Sequence, residues 1–411
     1  MNGADRLNAD LAQVAAAADA IDGTGGPADG AATPAGPPPR VALIGANGHG
    51  LWHRRRIAPL HEAGRVDLVA LVDVRDVAPA DGAPIPDGTA VLTDHRELLS
   101  AYSPDVAVIC TPPHTHLAIA SDCLRAGADV LLEKPPVVNV ADHQALASVV
   151  AETGRALQVG FQALGSVALA RLRAAVDSGE LGTLTGVSVV GSWQRSDAYY
   201  ARSPWAGRRS VGGHPVLDGA LANPFAHAVM QALAVAGSEP TLVELDAYRT
   251  REIEVDDTAT LRVTLASGVR ILVAVTLCGE DFLPGMLTAV GTTGTARLEY
   301  PTDRLAMPGD AGLRDVPGRV GLLENLLDHR ADPDGVPLLA PLADTLPFTV
   351  VLEAIRAAGV PPRVDPAFVT VTGDAPEIHH TIPGINDTLL RAGRDLALLR
   401  ELAVPWARDQ S

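Results

Sequence analysis

The 411-residue chain predicts an α/β protein: an N-terminal parallel sheet with helices on both faces, then an α/β domain built on antiparallel strands. Three observations predict it. From Arg40 to about Gln162, short apolar runs alternate with helical segments of about 10–15 residues, the pattern of a parallel sheet. The first run, "VALIG", opens into a loop carrying Gly45, Gly48 and Gly50. After Gln162 the texture changes to alternating runs such as "TATLRVTLASGVRILVAVTL" and "MLTAVGTTGTARLEY", broken at Ser267-Gly268 and between Gly291 and Gly294. Period-two alternation between turn residues reads as an antiparallel meander, here with helices on one side.

In order, 1–39 is rich in Ala, Gly, Asp and Pro, with a short Ala-rich helix near Leu7 to Ile21 before "GTGGPADGAATPAGPPPR". Such a composition buries too little to fold, so it reads as a mobile tail or an arm that clasps a neighbouring subunit. It lacks the basic start, apolar core and cleavage site of a signal peptide. The first domain, 40–162, then runs strand "VALIG", helix "LWHRRRIAPLHEAG", strand "VDLVALVD", helix "DHRELLSAY" and strand "DVAVICTPP". Helix "THLAIASDCLRAGA", strand "DVLLEKPP", helix "VADHQALASVVAETG" and strand "ALQVGFQ" complete it. The second domain, 163–411, adds helices in "SVALARLRAAVDSGELG" and "NPFAHAVMQALAVAG", the meander, and closing helices around Phe348–Ala358 and Asn386–Leu402.

Composition excludes several classes. With 32 basic and 49 acidic residues the formal charge is −17, which argues against nucleic acid, since neutralising phosphates needs a basic face. No run of about 18 apolar residues is present to span a membrane. Three cysteines, Cys110, Cys123 and Cys278, form no C-x-x-C pair, which fits a reduced, cytoplasmic setting.

The glycine loop sits between a buried strand and a helix start, where outward N–H groups favour an anion. A dinucleotide loop wants G-x-G-x-x-G; Gly45 and Gly50 fill its ends, and Asn47 takes the middle place. Asn tolerates left-handed backbone better than other non-glycine residues, and Gly48 leaves room beside it. Asp73 ends the next strand, 28 residues after Gly45. An acid about 20 residues on accepts ribose hydroxyls and repels a 2′-phosphate, favouring NAD over NADP; Arg75 weakens that preference.

Together, "GANGHG", "VDVRD", "CTPPHTH", "GADVLLEKPP" and "QVGFQALGS" resemble the Gfo/Idh/MocA oxidoreductases, the glucose–fructose oxidoreductase and inositol dehydrogenase superfamily. The resemblance covers Arg40 to about Trp406. It implies a Rossmann dinucleotide-binding domain, then an α/β domain whose large, mostly antiparallel open sheet mediates a homodimer or homotetramer. It also implies NAD(P)-dependent hydride transfer on a sugar, sugar derivative or cyclitol.

Residue by residue, the resemblance puts Gly45, Asn47, Gly48, His49, Gly50, Asp73, Thr111, Pro112, His116, Glu133 and Lys134 around the cofactor. Lys134, in "EKP", is its catalytic lysine, hydrogen-bonding the substrate hydroxyl; the competing reading is a surface ion pair with Glu133. His227 matches its catalytic histidine, able to move a proton near neutral pH. On the sequence, Asn223 caps that helix with Pro224 at its first position, and Asn223 and His227 share one face. Asn223 stands where the family has Asp, and an amide cannot stabilise an imidazolium as a carboxylate does. Three readings stay open: Lys134 and His227 suffice, Asp218 supplies the charge, or hydride chemistry has been given up.

"SWQRSDAYYARSPWAGRR" holds two of the chain's four tryptophans and two of its five tyrosines, interleaved with arginines. Aromatic faces stack on sugar rings while arginines bind the hydroxyl rim, so Trp193, Arg195, Tyr200 and Trp205 are candidate substrate contacts. The competing reading is an aromatic plug. His114 with His116, and His379 with His380, lack a completing carboxylate or cysteine, so no metal is assigned. The same fold also serves NAD-dependent glycosidases and a dinucleotide-sensing repressor. The presence of both Lys134 and His227 argues against a sensor, which needs neither.

Overall fold

In the computed structural model, which describes residues 36–407, Val41–Ile44 is buried because it forms the centre of a parallel sheet. There β1 (Arg40–Ile44) pairs with β2 (Asp67–Val72) on one side and β4 (Val106–Ile109) on the other. With β3 (Ala90–Leu92), β5 (Asp129–Leu132) and β6 (Leu157–Val159) the order is β3-β2-β1-β4-β5-β6, all parallel. Chain direction across the sheet reverses between β1 and β4, the point where open α/β sheets bind ligands at strand ends. Strands this apolar need cover on both faces, and helices supply it: α1 (Gly50–Glu62), α2 (His95–Tyr102), α3 (Pro113–Arg125) and α4 (Val140–Thr153). Their ends follow local chemistry. Asp94 and Asn139 accept the N–H groups of Arg96 and Asp142, and Gly154 closes α4 at a φ of 62°.

In the second unit, α5 (Val167–Asp177) precedes β7 (Leu184–Gln194), followed by the short α6 (Asp197–Ala201). A small hairpin of β8 (Ser210–Val211) and β9 (His214–Pro215) then leads to α7 (Ala226–Ala236). Next come β10 (Pro240–Tyr248), β11 (Thr258–Leu265), β12 (Arg270–Thr276) and β13 (Cys278–Gly291), with β14 (Thr295–Glu299), β15 (Arg304–Ala306) and β16 (Arg314–Asp315). They form one eight-stranded sheet, β10-β11-β12-β7-β13-β14-β15-β16, antiparallel except where β12 meets β7. The fold class is therefore as the sequence predicts.

Two expectations need correction. Helices do not keep to one side of this sheet. A Cβ on Gly191 of β7 would strike Phe225, just before α7, whereas Gly393 of α10 (Ile385–Asp395) packs on Val190 and Ser188. Adjacent strand residues point to opposite faces, so α7 and α10 cover different ones. The second correction is to the division at 162. Among the described residues, one compact unit takes 36–165 together with Val320–Thr349, and the other takes Ser166–Arg319 and 350–407. The returning segment carries α8 (Leu322–Ala331), whose Arg330 binds Asp105 at 2.7 Å and Asp129 at 2.5 Å beside β4 and β5. Gln158 of β6 donates to the Leu322 carbonyl and accepts from the N–H groups of Leu339 and Ala340. These bonds span more than 160 residues, beyond any local pattern. The remaining elements are α9 (Leu346–Ala357) and the hairpin of β17 (Thr370–Thr372) and β18 (His379–Thr381). The expected tail falls almost wholly outside the described residues. Among those described, no helix is long and apolar enough to cross a membrane, and all three cysteines are free.

Candidate functional site

In the first unit the loop after β1 is shaped by two glycines that admit no side chain. A Cβ on Gly45, at φ 89°, would lie 2.3 Å from the Cys110 carbonyl oxygen, and one on Gly50 would lie 1.8 Å from that of Gly45. These contacts press the loop against the end of β4 and start α1 tightly, which fits a pyrophosphate lodged on a helix N-terminus. Gly45, at φ 89°, and Gly48, at φ 60°, take the left-handed backbone of the loop, and Asn47 does not. Asn47 has a different use: its N–H donates to Asp73 Oδ2 at 2.9 Å, and its side-chain amide to the Asp76 carbonyl at 3.2 Å.

Asp73 is thereby tied to the loop it serves. Its Oδ1 accepts the Arg75 N–H at 3.0 Å, with the Arg75 Nε at 3.4 Å. Burial acts upward on its pKa, but the N–H groups of Arg75 and Asn47 hold it below the ordinary aspartate value. Arg75 occupies Oδ1 twice, and Oδ2 keeps a lone pair for a ribose hydroxyl.

Beyond β4, Pro112 and Pro113 open α3, and the Thr111 hydroxyl pairs with that of Thr115 at 2.7 Å. His116 is buried, with Nε2 at 2.7 Å from the Thr111 carbonyl and Nδ1 at 3.0 Å from that of Pro135. Burial lowers its pKa. A neutral imidazole has one N–H, so the ring donates to one of these carbonyls at a time, and its place between them packs the turn after β4 against the turn after β5.

Glu133 and Lys134 follow β5. Glu133 is buried; its Oε1 meets His53 Nε2 at 2.8 Å and its Oε2 accepts the Lys134 N–H at 3.0 Å. Burial acts upward on the carboxyl, yet the hydrogen bonds and charge of His49 and His53 hold it well below the usual range. So Glu133 is anchored by histidine from α1 and fixes the backbone that presents Lys134. Lys134 itself is half-buried at the strand end.

In the second unit His227 lies in the first turn of α7, 7% exposed, one turn before the fully buried Gln231. Asn223 does not cap that helix: Phe225 holds the cap position without a side-chain bond, and 223–225 form a turn. The Asn223 amide instead donates to Asp218 Oδ1 at 2.6 Å. Asp218 follows Leu217, a non-glycine residue at φ 54°, and is 5% exposed. Its two oxygens also share Arg202 Nη2, at 3.0 and 2.9 Å, and Oδ2 accepts the Gly207 N–H at 2.8 Å. Beneath this turn lies Asp256, whose Oδ2 accepts the Leu221 N–H at 3.0 Å; burial pushes its pKa up to about 6.

The aromatic loop separates into two kinds of residue. Trp193 is 3% exposed, donates to the Pro284 carbonyl at 3.0 Å and packs on Phe225 at 4.3 Å, so it is core. The Tyr200 ring lies under Arg251 at 4.9 Å, and burial raises its phenol well above the usual value. Arg195 spans the Trp193 and Tyr199 rings at 5.2 Å each. Trp205 is 41% exposed. Between it and Tyr199, at 4.7 and 3.7 Å, sits Arg202, the same arginine that grips Asp218.

Sequence reasoning missed His53 and undervalued Arg202. His53 had one available signal, its i, i+4 spacing from His49. Nothing local connects it to Glu133, 80 residues on. Among the described residues neither His114 with His116 nor His379 with His380 gathers a third metal-ligand side chain, whereas His49, His53 and Glu133 cluster.

Two family models match the chain. One is described as the oxidoreductase family, NAD-binding Rossmann fold, over residues 39–161; the other is the GFO/IDH/MocA C-terminal domain, over 169–297. Inositol 2-dehydrogenase 1 of Saccharopolyspora erythraea is 31% identical over 147 residues, 35% of this chain and 42% of that protein. D-glucoside 3-dehydrogenase of Escherichia coli is 29% identical over 153 residues, 36% of this chain and 41% of that protein. The chain thus matches about two fifths of the length of these curated relatives. Among solved structures, the WlbA dehydrogenase of Bordetella pertussis, in complex with NADH and UDP-GlcNAcA, superposes with a TM-score of 0.65 at 23% identity. It covers 78% of this chain and 96% of its own. A levoglucosan dehydrogenase complex with NADH gives 0.63 at 19%, covering 79% and 99%. At such identities the likeness establishes the fold.

Proposed function

The chain belongs to the Gfo/Idh/MocA oxidoreductase family, and from that premise we propose that it is an NAD-dependent dehydrogenase or reductase acting on a secondary hydroxyl of a sugar, sugar derivative or cyclitol. The observation that carries the reading is the end of β5. Lys134 emerges there with its backbone held by Glu133, in a unit whose first loop excludes any side chain at Gly45 and Gly50.

Bound NAD supplies the hydride acceptor. Gly45 and Gly50 admit its pyrophosphate to the start of α1, and Asp73 accepts the ribose hydroxyls, disfavouring a 2′-phosphate. Lys134 donates to the substrate hydroxyl and stabilises developing oxyanion character. His227 takes or returns the hydroxyl proton. Asp218 and Asn223 work as a unit: the amide carries the influence of a carboxylate whose charge Arg202 already balances. Arg195, Tyr200 and Trp205 remain candidate substrate contacts, with Trp205 the most accessible to a sugar face. Association into a homodimer or homotetramer belongs to the same proposal, and light scattering checks it.

The test is incubation with NAD and a panel of cyclitols, monosaccharides and glycosides, following the NADH absorbance band. Lys134→Ala and His227→Ala should each lower kcat by about 10²–10⁴-fold, the usual size of a proton-handling group, with NAD affinity little changed. Cofactor binding without turnover of any compound would overturn the reading, as would glycoside cleavage without net NADH. If Asp218→Asn leaves rate and pH profile unchanged, the Asp218–Asn223 unit has no part in the proton step.

A further inference from the structure

His49 ends the glycine loop and His53 lies one turn into α1, so the two share a helix face. Glu133 reaches them from the end of β5. Its Oε1 lies 2.8 Å from His53 Nε2 and 3.7 Å from His49 Nε2, and ligand atoms of all three fall within 4.8 Å of one another. Among the described residues no other group of three such side chains is so gathered.

The three are held rather than merely near. The His49 ring stacks on Trp52 at 5.7 Å with an interplanar angle of 4°, and His53 meets the same indole edge-on at 4.8 Å. The Lys134 N–H holds the far oxygen of Glu133, and Gly160 packs against the carboxylate so closely that a Cβ there would lie 2.9 Å from its Cδ. Side chains of His53 and Glu133 are 2% and 8% exposed while that of His49 is 47% exposed, so the cluster is enclosed on one side and open on the other.

We propose that His49, His53 and Glu133 form a three-ligand site for a divalent transition metal of the zinc class, open on the His49 side. Two imidazole nitrogens and one carboxylate oxygen are a zinc ligand set that leaves a fourth position for water. Tetrahedral ligands at zinc's bond lengths stand about 3.3 Å apart, and the separations of 2.8 and 3.7 Å from Glu133 Oε1 bracket that value. Imidazoles favour zinc, cobalt, nickel or copper over magnesium and calcium, which prefer oxygen. The ion replaces the proton between His53 Nε2 and Glu133 Oε1, and that proton moves to Nδ1 of the ring or to solvent. The site shares His49 and Glu133 with the residues placed around the cofactor, but zinc retention is read without NAD or substrate, so its failure is distinguishable from that of the hydride-transfer reading.

Full-length protein, stripped with a chelator, is titrated with zinc chloride against a chromophoric chelator, and separately with cobalt chloride while visible absorption is followed. One ion per chain is expected, with at least about tenfold weaker binding in His49→Ala and in Glu133→Gln, since even outer partners of metal ligands change affinity by about 10–100-fold. His49→Ala removes a half-exposed side chain, so the fold survives, and circular dichroism checks this. Affinity indistinguishable between wild type and His49→Ala would overturn the site, as capture by His379 and His380 would produce. Failure of the wild type to retain any zinc against the chelator would overturn it equally.

Discussion

In the dinucleotide unit each candidate side chain stands at a strand end or in a tight turn beside one, and the backbone places it. Gly45 follows β1, Asp73 follows β2, Thr111 follows β4 and Glu133 follows β5. In the sheet unit Arg195, Tyr200, Trp205, Asp218 and Asn223 lie in the long connection between β7 and α7, where charged and aromatic side chains hold one another. Arg202, wedged between Tyr199 and Trp205, holds Asp218, which holds Asn223. The lesson is one of tolerance. A site laid out by parallel strands is sensitive at its backbone contacts, whereas one laid out by a charge network is sensitive at its charges.

The largest contrast expected is between two tryptophans of the second unit. Trp193→Ala should cost about 3–5 kcal/mol, as for deletion of a packed aromatic. Trp205→Ala should leave stability within about 0.5 kcal/mol and act on the KM for the sugar; denaturant melts and steady-state kinetics separate the two. In the dinucleotide unit, Gly45→Ala forces a Cβ onto the Cys110 carbonyl at 2.3 Å and should abolish NAD binding. Gly48→Ala meets nothing within 4 Å and should cost about 1–2 kcal/mol for its left-handed backbone. Similar losses from both would mean the loop is not braced on β4.

Arg202→Met leaves the Asp218 carboxylate buried without its partner and should cost about 3 kcal/mol, the low end for a broken buried pair because Arg202 is partly exposed. Asp218→Asn keeps the Gly207 bond and one Arg202 bond at its amide oxygen, loses those made to Oδ1 and leaves no buried charge, so it should cost less; the reverse ranking would show that the charge is not what organises the loop.

A smaller, pH-dependent effect lies at Asp256. Burial raises its pKa to about 6 from an ordinary 3.8. The folded protein therefore holds this proton more tightly than the unfolded chain does. Its contribution is fully present below the unfolded value and is lost as pH rises through the folded one. Asp256→Asn should remove that decline, gaining on the order of 2 kcal/mol at pH 7 relative to pH 4. Melting temperatures of both proteins across this window check it, and parallel curves would contradict it.

Local pattern carried much of the first unit. Apolar strands, the glycines, Asp73 and "EKP" sit where neighbours in sequence dictate the backbone, so they were legible without coordinates. The same reasoning put Trp193 among the substrate contacts, made Asn223 a helix cap and divided the chain at 162. It could not see that Glu133 takes a histidine 80 residues earlier, or that Val320–Thr349 returns to the first unit. The apolar strands of the parallel sheet, short β3 excepted, and the tight turn at the glycines were in the sequence because each is written within a turn or two of backbone. Which side chain faces which was decided only in the tertiary structure, because burial, ion pairing and aromatic stacking join residues whose separation along the chain leaves no periodic trace.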